Sequence, residues 1–124
     1  MRVLLGILRM DISRKGGNMT TEVTVNSNIC NLTHRIKGEN KGETIEISIE
    51  SPCDKIQSMQ HMEVPVMEIF GFRDNCVVRM AEEAGCDVTC IVPCAILHVC
   101  HIESGMMSRS LVKQAGNISI AFEK

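Results

Sequence analysis

The segment ETIEISIE, residues 43–50, gives the strongest structural signal in the chain. Ile45, Ile47 and Ile49 alternate with polar residues, and this period of two is typical of a β-strand with one buried and one hydrated face. Such a strand suits an antiparallel sheet that helices cover on one side. The segment therefore predicts a small α+β domain.

Other alternating segments predict further strands. Residues 22–25 and 32–37 form either two strands or one bent strand with Cys30 near the bend. Residues 117–122 predict a closing strand, at the sheet edge or between earlier strands. Three apolar residues of that strand are expected to face the core: Ile118, Ile120 and Phe122. We expect a mainly antiparallel sheet of three or four strands.

About three helices are predicted to pack on one face of this sheet, over residues 51–62, 74–85 and 93–105. Ser51 is the expected N-cap of the first helix, with Pro52 at its first position. Asp74 or Asn75 caps the second helix, which stops at Gly85 in a left-handed conformation. Residues 63–72 are expected to form a loop and a turn of helix.

The first 18 residues differ from the rest of the chain. The run Arg14-Lys15-Gly16-Gly17-Asn18 before Met19 is what a purine-rich ribosome-binding site gives when it is translated. We therefore expect residues 1–18 to be a non-native or disordered leader, with the true start at Met19 and one α+β domain over residues 19–124. That domain would be acidic, with nine basic and fourteen acidic residues.

Composition excludes several classes of function. The chain has three Phe and no Trp or Tyr, so it lacks the aromatic side chains on which single-stranded nucleic acid stacks. An acidic domain repels phosphate backbones and anionic membranes. No apolar run approaches the roughly 20 residues of a membrane helix, and no small-residue cleavage site follows the apolar run at residues 3–8. We expect a cytoplasmic protein that binds neither nucleic acid nor membrane.

Seven cysteines are the main chemical feature of the sequence. In a cytosolic chain they are thiols, metal ligands or core residues rather than a disulfide framework. Cys53 is predicted at the second position of a capped helix, where the helix N-terminus favours its thiolate. Cys86 follows a helix stop and Cys90 precedes a helix start. Together with Cys30, these thiols at the ends of elements are a candidate ligand set for zinc or an iron–sulfur cluster, although their spacing lacks C-x2-C pairs.

The last helix carries a competing set. Cys94, His98 and His101 project within about 60° of one another on a helical wheel, and they are either a second Cys/His site or an ordinary half-exposed helix flank. The flank is the favoured interpretation. A nucleophilic pair of Cys53 with His98 is a further alternative. Cys76 is expected to be a packing residue. Cys100 is expected to point away from the core-facing side of its helix and from the side that carries Cys94, His98 and His101.

Several cysteine-centred motifs carry a resemblance to a known family. They are Asn28-x-Cys30, Glu50-Ser51-x-Cys53 and Cys86-x3-Cys90-x-Val92-Pro93-x-Ala95-Ile96. In these the chain resembles a family of small uncharacterised cysteine-containing proteins of strict anaerobes, including methanogenic archaea, over about residues 23–122. The resemblance implies that Cys30, Cys53, Cys86 and Cys90 are the recurring thiols. It implies an oxygen-free cytosol and no assigned activity.

Three hypotheses follow for function. In the first, Cys30, Cys53, Cys86 and Cys90 bind an iron–sulfur cluster or zinc in a small electron-transfer or binding protein, whose acidic surface suits a basic redox partner. In the second, the Cys53 thiolate performs thiol redox or sulfur-transfer chemistry with another cysteine. In the third, the protein is a structural interaction module with unliganded core cysteines.

Overall fold

The computed structural model describes residues 4–15 and 18–123, with side chains from Thr20 onward. Its strands are β1 (Leu4–Lys15), β2 (Asn18–Ser27), β3 (Leu32–Asn40), β4 (Thr44–Glu50), β5 (His61–Pro65) and β6 (Asn117–Ala121). Within the described residues these six strands form one antiparallel sheet in the order β5-β4-β3-β2-β1-β6. The predicted α+β class with an antiparallel sheet is confirmed.

The helices are α1 (Asp54–Gln57), α2 (Cys76–Glu83), α3 (Val92–Glu103) and α4 (Arg109–Ala115), with a 3-10 turn at Val66–Glu68. The capping predictions for α2 are confirmed. The Asn75 side chain accepts a hydrogen bond of 3.1 Å from the Val78 N–H, and Gly85 has a φ of 80°. The third predicted helix is confirmed as α3.

The core lies between α3 and one face of the sheet. Strand register places Val23 opposite Ile36 and Ile36 opposite Ile49, and all three side chains are buried. The facing side of α3 contributes Val99 and other buried residues. Each such side chain that leaves water stabilises the fold by about 2 kcal/mol. The core thus fixes how α3 lies across β2, β3 and β4.

Close approach of α3 to the sheet depends on Gly38 in β3. A Cβ built at Gly38 would collide with the Val99 side chain and meet Ile47 Cδ1 at 3.2 Å. At the C-terminal end of α3, the buried Glu103 carboxylate accepts hydrogen bonds from the Thr21 hydroxyl, the Asn40 N–H and the Arg109 guanidinium. This end of the helix is therefore anchored to β2, β3 and α4.

In the first half of the chain the structure decides one alternative and corrects two predictions. Residues 28–31 form a turn between β2 and β3, with Asn31 at a φ of 57°, so residues 22–25 and 32–37 lie in two strands rather than one bent strand. The first helix ends at Gln57, not near Met62. His61–Pro65 is strand β5, because Met62 and Val64 are two residues apart and both are buried against the β4 edge of the core.

The C-terminal region differs from the prediction in two ways. Helix α4 was not predicted, although Ser108 caps it by accepting the Leu111 N–H and Gly116 ends it with a φ of 79°. Strand β6 pairs with β1 at the sheet edge. The prediction that its apolar side chains face the core is wrong, because β6 is the outermost strand and these three side chains are at least half exposed: Ile118, Ile120 and Phe122.

The predicted leader includes residues 1–3, 16 and 17, which lie outside the described residues. Residues 4–15 of it are strand β1, paired with β2. A native start at Met19 stays a prediction. Across the described part of the chain, none of the helices has the length and apolar character that crossing a membrane requires.

Candidate metal centre

The four predicted ligands come from four different segments. Cys30 lies in the β2–β3 turn, Cys53 directly precedes α1, Cys86 follows α2, and Cys90 lies just before α3. Sheet register places the β2–β3 turn and the end of β4 at the same end of the sheet, because Ser27 pairs with Leu32 and Arg35 pairs with Glu50. The fold therefore brings Cys30 and Cys53 to one end.

Helix α3 brings Cys90 to that same end. Its C-terminal residue, Glu103, is bonded to Asn40 at the opposite end of β3. Cys90, two residues before the helix, interacts electrostatically with Cys30 of the β2–β3 turn. We call this end of the fold, defined by Cys30, Cys53, Cys86 and Cys90, the thiol end.

Electrostatic interactions link the four thiols through Cys86 and Cys90. Burial raises the pKa of Cys86, the nearby thiols of Cys90 and Cys53 raise it further, and Lys55 opposes them. Burial is also the main cause that raises the pKa of Cys90, and Cys30 and Cys53 add to it, while the Val92 N–H lowers it. Ionisation of any one thiol therefore disfavours ionisation of its neighbours.

Cys86 and Cys90 also interact directly through their side chains. This interaction raises the pKa of Cys86 and lowers that of Cys90. All seven cysteines of the chain lie in the described part and have free thiols. In residues 4–15 and 18–123, no group of three or more His, Cys, Asp or Glu side chains is close enough to hold a metal ion. As placed, the four sulfurs therefore do not form a metal-binding group.

The local structure at Cys53 differs from the prediction. Cys53 is itself the N-cap of α1, with a φ of −84° and a ψ of 123°, rather than the second residue of a helix capped by Ser51. Helix α1 has four residues, so it lacks the aligned peptide dipoles on which the predicted stabilisation of a thiolate depends. Pro52 lies outside the helix.

Ser51 instead supports the Cys53 backbone. Its Oγ accepts a hydrogen bond of 3.0 Å from the Cys53 N–H and lies 2.7 Å from Nδ1 of His34. Burial lowers the pKa of His34 and so favours the neutral ring, whose Nδ1 can accept a hydrogen bond from the Ser51 hydroxyl. Sequence reasoning missed His34. The signal was a histidine at a core-facing position of β3, in phase with the buried Ile36.

The competing set of the last helix does not form. His101 Nε2 lies 2.8 Å from the carbonyl oxygen of Ile69, to which it donates, and its ring packs edge-to-face on Phe70. His98 pairs with Cys94, since its Nδ1 lies 2.8 Å from the Cys94 carbonyl oxygen and 3.7 Å from Cys94 Sγ. The alternative pairing of His98 with Cys53 is therefore wrong.

The two remaining cysteines are core residues. Cys76 is buried at the start of α2, with Sγ 3.9 Å from the sulfur of Met80, and burial raises the pKa of its thiol. The packing role predicted for it is confirmed. Cys100 is fully buried, and burial raises the pKa of its thiol to about 12. The prediction that Cys100 points away from both faces of α3 is wrong, because α3 is covered on more than one side.

Sequence comparison agrees with the extent of this fold. The profile of a family of unknown function, DUF6951, matches residues 21–115. The chain belongs to the DUF6951 family. The match runs from β2 to the last residue of α4 and contains all seven cysteines. The expected membership of an uncharacterised family is thus confirmed. Searches of curated proteins and of solved structures found no match to this DUF6951 protein.

Proposed function

We propose that this protein binds a metal centre, zinc or an iron–sulfur cluster, through Cys30, Cys53, Cys86 and Cys90. The observation that carries the proposal is the convergence of these cysteines from four segments far apart in the chain. Packing alone does not call for such an arrangement, because Cys30 is exposed on a turn and contributes nothing to the core. Four thiolates are a complete ligand set for either centre.

The electrostatics of the thiol end supports a cation as the bound group. Burial raises the pKa of Cys86 and of Cys90, and neighbouring thiols raise both further, so thiolates at these two positions are disfavoured unless positive charge is added. A metal ion removes this penalty, and its binding releases the thiol protons. Metal affinity should therefore increase as the pH rises through the thiol pKa range.

The expected cellular compartment supports an iron–sulfur cluster as one of the two candidate metal centres. Seven free thiols suit a reducing cytosol, and the resemblance to proteins of strict anaerobes implies an environment in which exposed clusters survive. A cluster held partly at the surface by Cys30 would allow electron transfer to a protein redox partner with a basic docking surface. Zinc in the same site would instead fix the thiol end as a structural or binding element.

Metal analysis of protein purified without oxygen, and without a metal-affinity tag, tests the proposal. Brown protein with iron and sulfide supports the cluster, and colourless protein with one zinc per chain supports zinc. We expect Cys30→Ser, Cys53→Ser, Cys86→Ser and Cys90→Ser each to lower metal content. Cys94→Ser is the matched control, since it removes a thiol outside the set and should leave metal content unchanged.

Metal-free protein would contradict the proposal. If Cys53 then proved the most reactive thiol, a redox or sulfur-transfer enzyme would be favoured. If all thiols were inert, an interaction module with structural cysteines would be favoured.

A further inference from the structure

A groove of about 580 Å³ lies between α2 and α3, next to the thiol end. Its walls are mainly apolar and include Val78, Ala81 and Leu97, while Glu82 and Asp87 contribute acidic groups. A groove of this size and character fits a small organic ligand. Cys94 and His98 also line it, and neither belongs to the proposed metal ligands.

Cys94 and His98 form a hydrogen-bonded pair in the wall of the groove. A backbone carbonyl only accepts, so the 2.8 Å contact with the Cys94 oxygen places the hydrogen of the His98 ring on Nδ1. Cys94 Sγ, 3.7 Å from the same nitrogen, is a second acceptor for that N–H. The ring therefore stabilises a thiolate at Cys94, and the thiol is exposed to the solvent of the groove.

The acid–base properties of this pair distinguish it from the thiol end. The His98 hydrogen bond lowers the pKa of Cys94 against the opposing effect of burial, and the same bond raises the pKa of His98. The pKa values of Cys86 and Cys90 are raised. Near neutral pH, Cys94 is thus a stronger candidate for a reactive thiolate than either of them.

We propose that the groove binds a small, uncharged, apolar disulfide and that Cys94, assisted by His98, attacks one of its sulfur atoms. The S–S bond of the ligand breaks, a new S–S bond joins Cys94 to one half, and the other half leaves as a thiolate. The Cys94 thiol loses its proton to solvent, the His98 Nδ1–H stabilises the resulting thiolate, and a proton from solvent neutralises the leaving thiolate. The disulfide is the oxidant, so electrons balance without a further reagent.

The residues of the groove favour this ligand class. Thiol–disulfide exchange requires a thiolate and access to the disulfide sulfur, and both are present at Cys94. The apolar walls suit uncharged organic substituents, and Glu82 with Asp87 disfavours anionic ones. Cys86 and Cys90 also line the groove. The exchange step itself uses neither of them and needs no metal.

Labelling of the full chain with less than one equivalent of dithiodipyridine, an uncharged aromatic disulfide, tests the proposal. Peptide mapping by mass spectrometry should find the first mixed disulfide at Cys94. We expect His98→Asn and His98→Gln to slow this step about tenfold and to move its pH profile upward, because the thiolate loses its donor. His61→Asn, a change at an exposed histidine on β5, is the matched control and should leave the rate unchanged.

Reagent charge provides a second readout that does not depend on a variant. The dianionic dithiobis-nitrobenzoate should react with Cys94 more slowly than dithiodipyridine, relative to the rates of the two reagents with free cysteine. First labelling at another cysteine, an unchanged pH profile in both His98 variants, or equal relative rates for the two reagents would overturn the proposal. None of these outcomes bears on metal content, so the two proposals fail separately.

Discussion

The two ends of α3 differ in how their buried polar groups are partnered. At the C-terminal end, which we call the Glu103 end, one buried carboxylate is satisfied by Thr21, Asn40 and Arg109. At the thiol end, burial raises the pKa of Cys86 and of Cys90, and neighbouring thiols add to the increase. The Glu103 end is complete as folded. In the proposed function a bound cation would offset the cost of forming thiolates at the thiol end, and perturbed pKa values of this kind are common at functional sites.

Removal of the Glu103 carboxylate should have the largest effect on stability. In Glu103→Ala the Thr21 hydroxyl, the Asn40 N–H and the Arg109 guanidinium lose their shared acceptor. We expect a loss of about 3 kcal/mol in the free energy of unfolding, measured by urea denaturation, because buried partners are left unpaired. Metal content should remain normal at a temperature where the variant is folded. A lower metal content than in the wild type, measured on the folded variant, would show that the two ends are not independent.

Gly38→Ala tests the close approach of helix and sheet at the Glu103 end. The added methyl group meets Val99 and Ile47, which are both buried, so α3 must move outward. We expect a cost of about 2 kcal/mol by urea denaturation, typical of overpacking. Gly38→Ala should cost less in a Val99→Ala background than in the wild type, because the smaller side chain leaves room for the added methyl group. An equal cost in both backgrounds would mean that Val99 is not what Gly38 accommodates.

The smallest expected effect is a pH dependence at the thiol end. Burial lowers the pKa of His34 below its ordinary value of 6.5, so the folded state disfavours the protonated ring. The resulting stability is present above pH 6.5 and is lost as the pH falls from there through the folded pKa. Urea midpoints of the wild type should decline over this range, and those of His34→Gln should decline less. Parallel curves for both proteins would exclude His34 as the source.

Sequence reasoning succeeded where one local signal decided the structure. The alternation in residues 43–50, the Asn75 cap and the Gly85 stop each required only their own neighbours, and each was confirmed. Strand β5 was missed because its five residues, including Pro65, form a strand only through pairing with β4. The exposure of Ile118 was missed because it depends on the position of β6 beside β1, which no alternation pattern encodes.

In the candidate site, too, features set by the local sequence could be predicted and features set by tertiary contacts could not. The four cysteines could be selected from their positions at the ends of elements, and the fold makes them neighbours. The Ser51–His34 contact joins residues in different strands and segments, so spacing along the chain gave no indication of it. The expected helix-dipole effect at Cys53 failed because a capping pattern does not determine helix length.

X-ray absorption at the zinc or iron edge of protein purified without oxygen identifies and counts the atoms bound to the metal. We expect sulfur ligands alone, at about 2.3 Å. We also expect that changing any one of the four cysteines to serine replaces a sulfur in this shell. Nitrogen or oxygen ligands in the wild-type protein, or an unchanged shell in all four variants, would contradict a metal centre bound by these four cysteines.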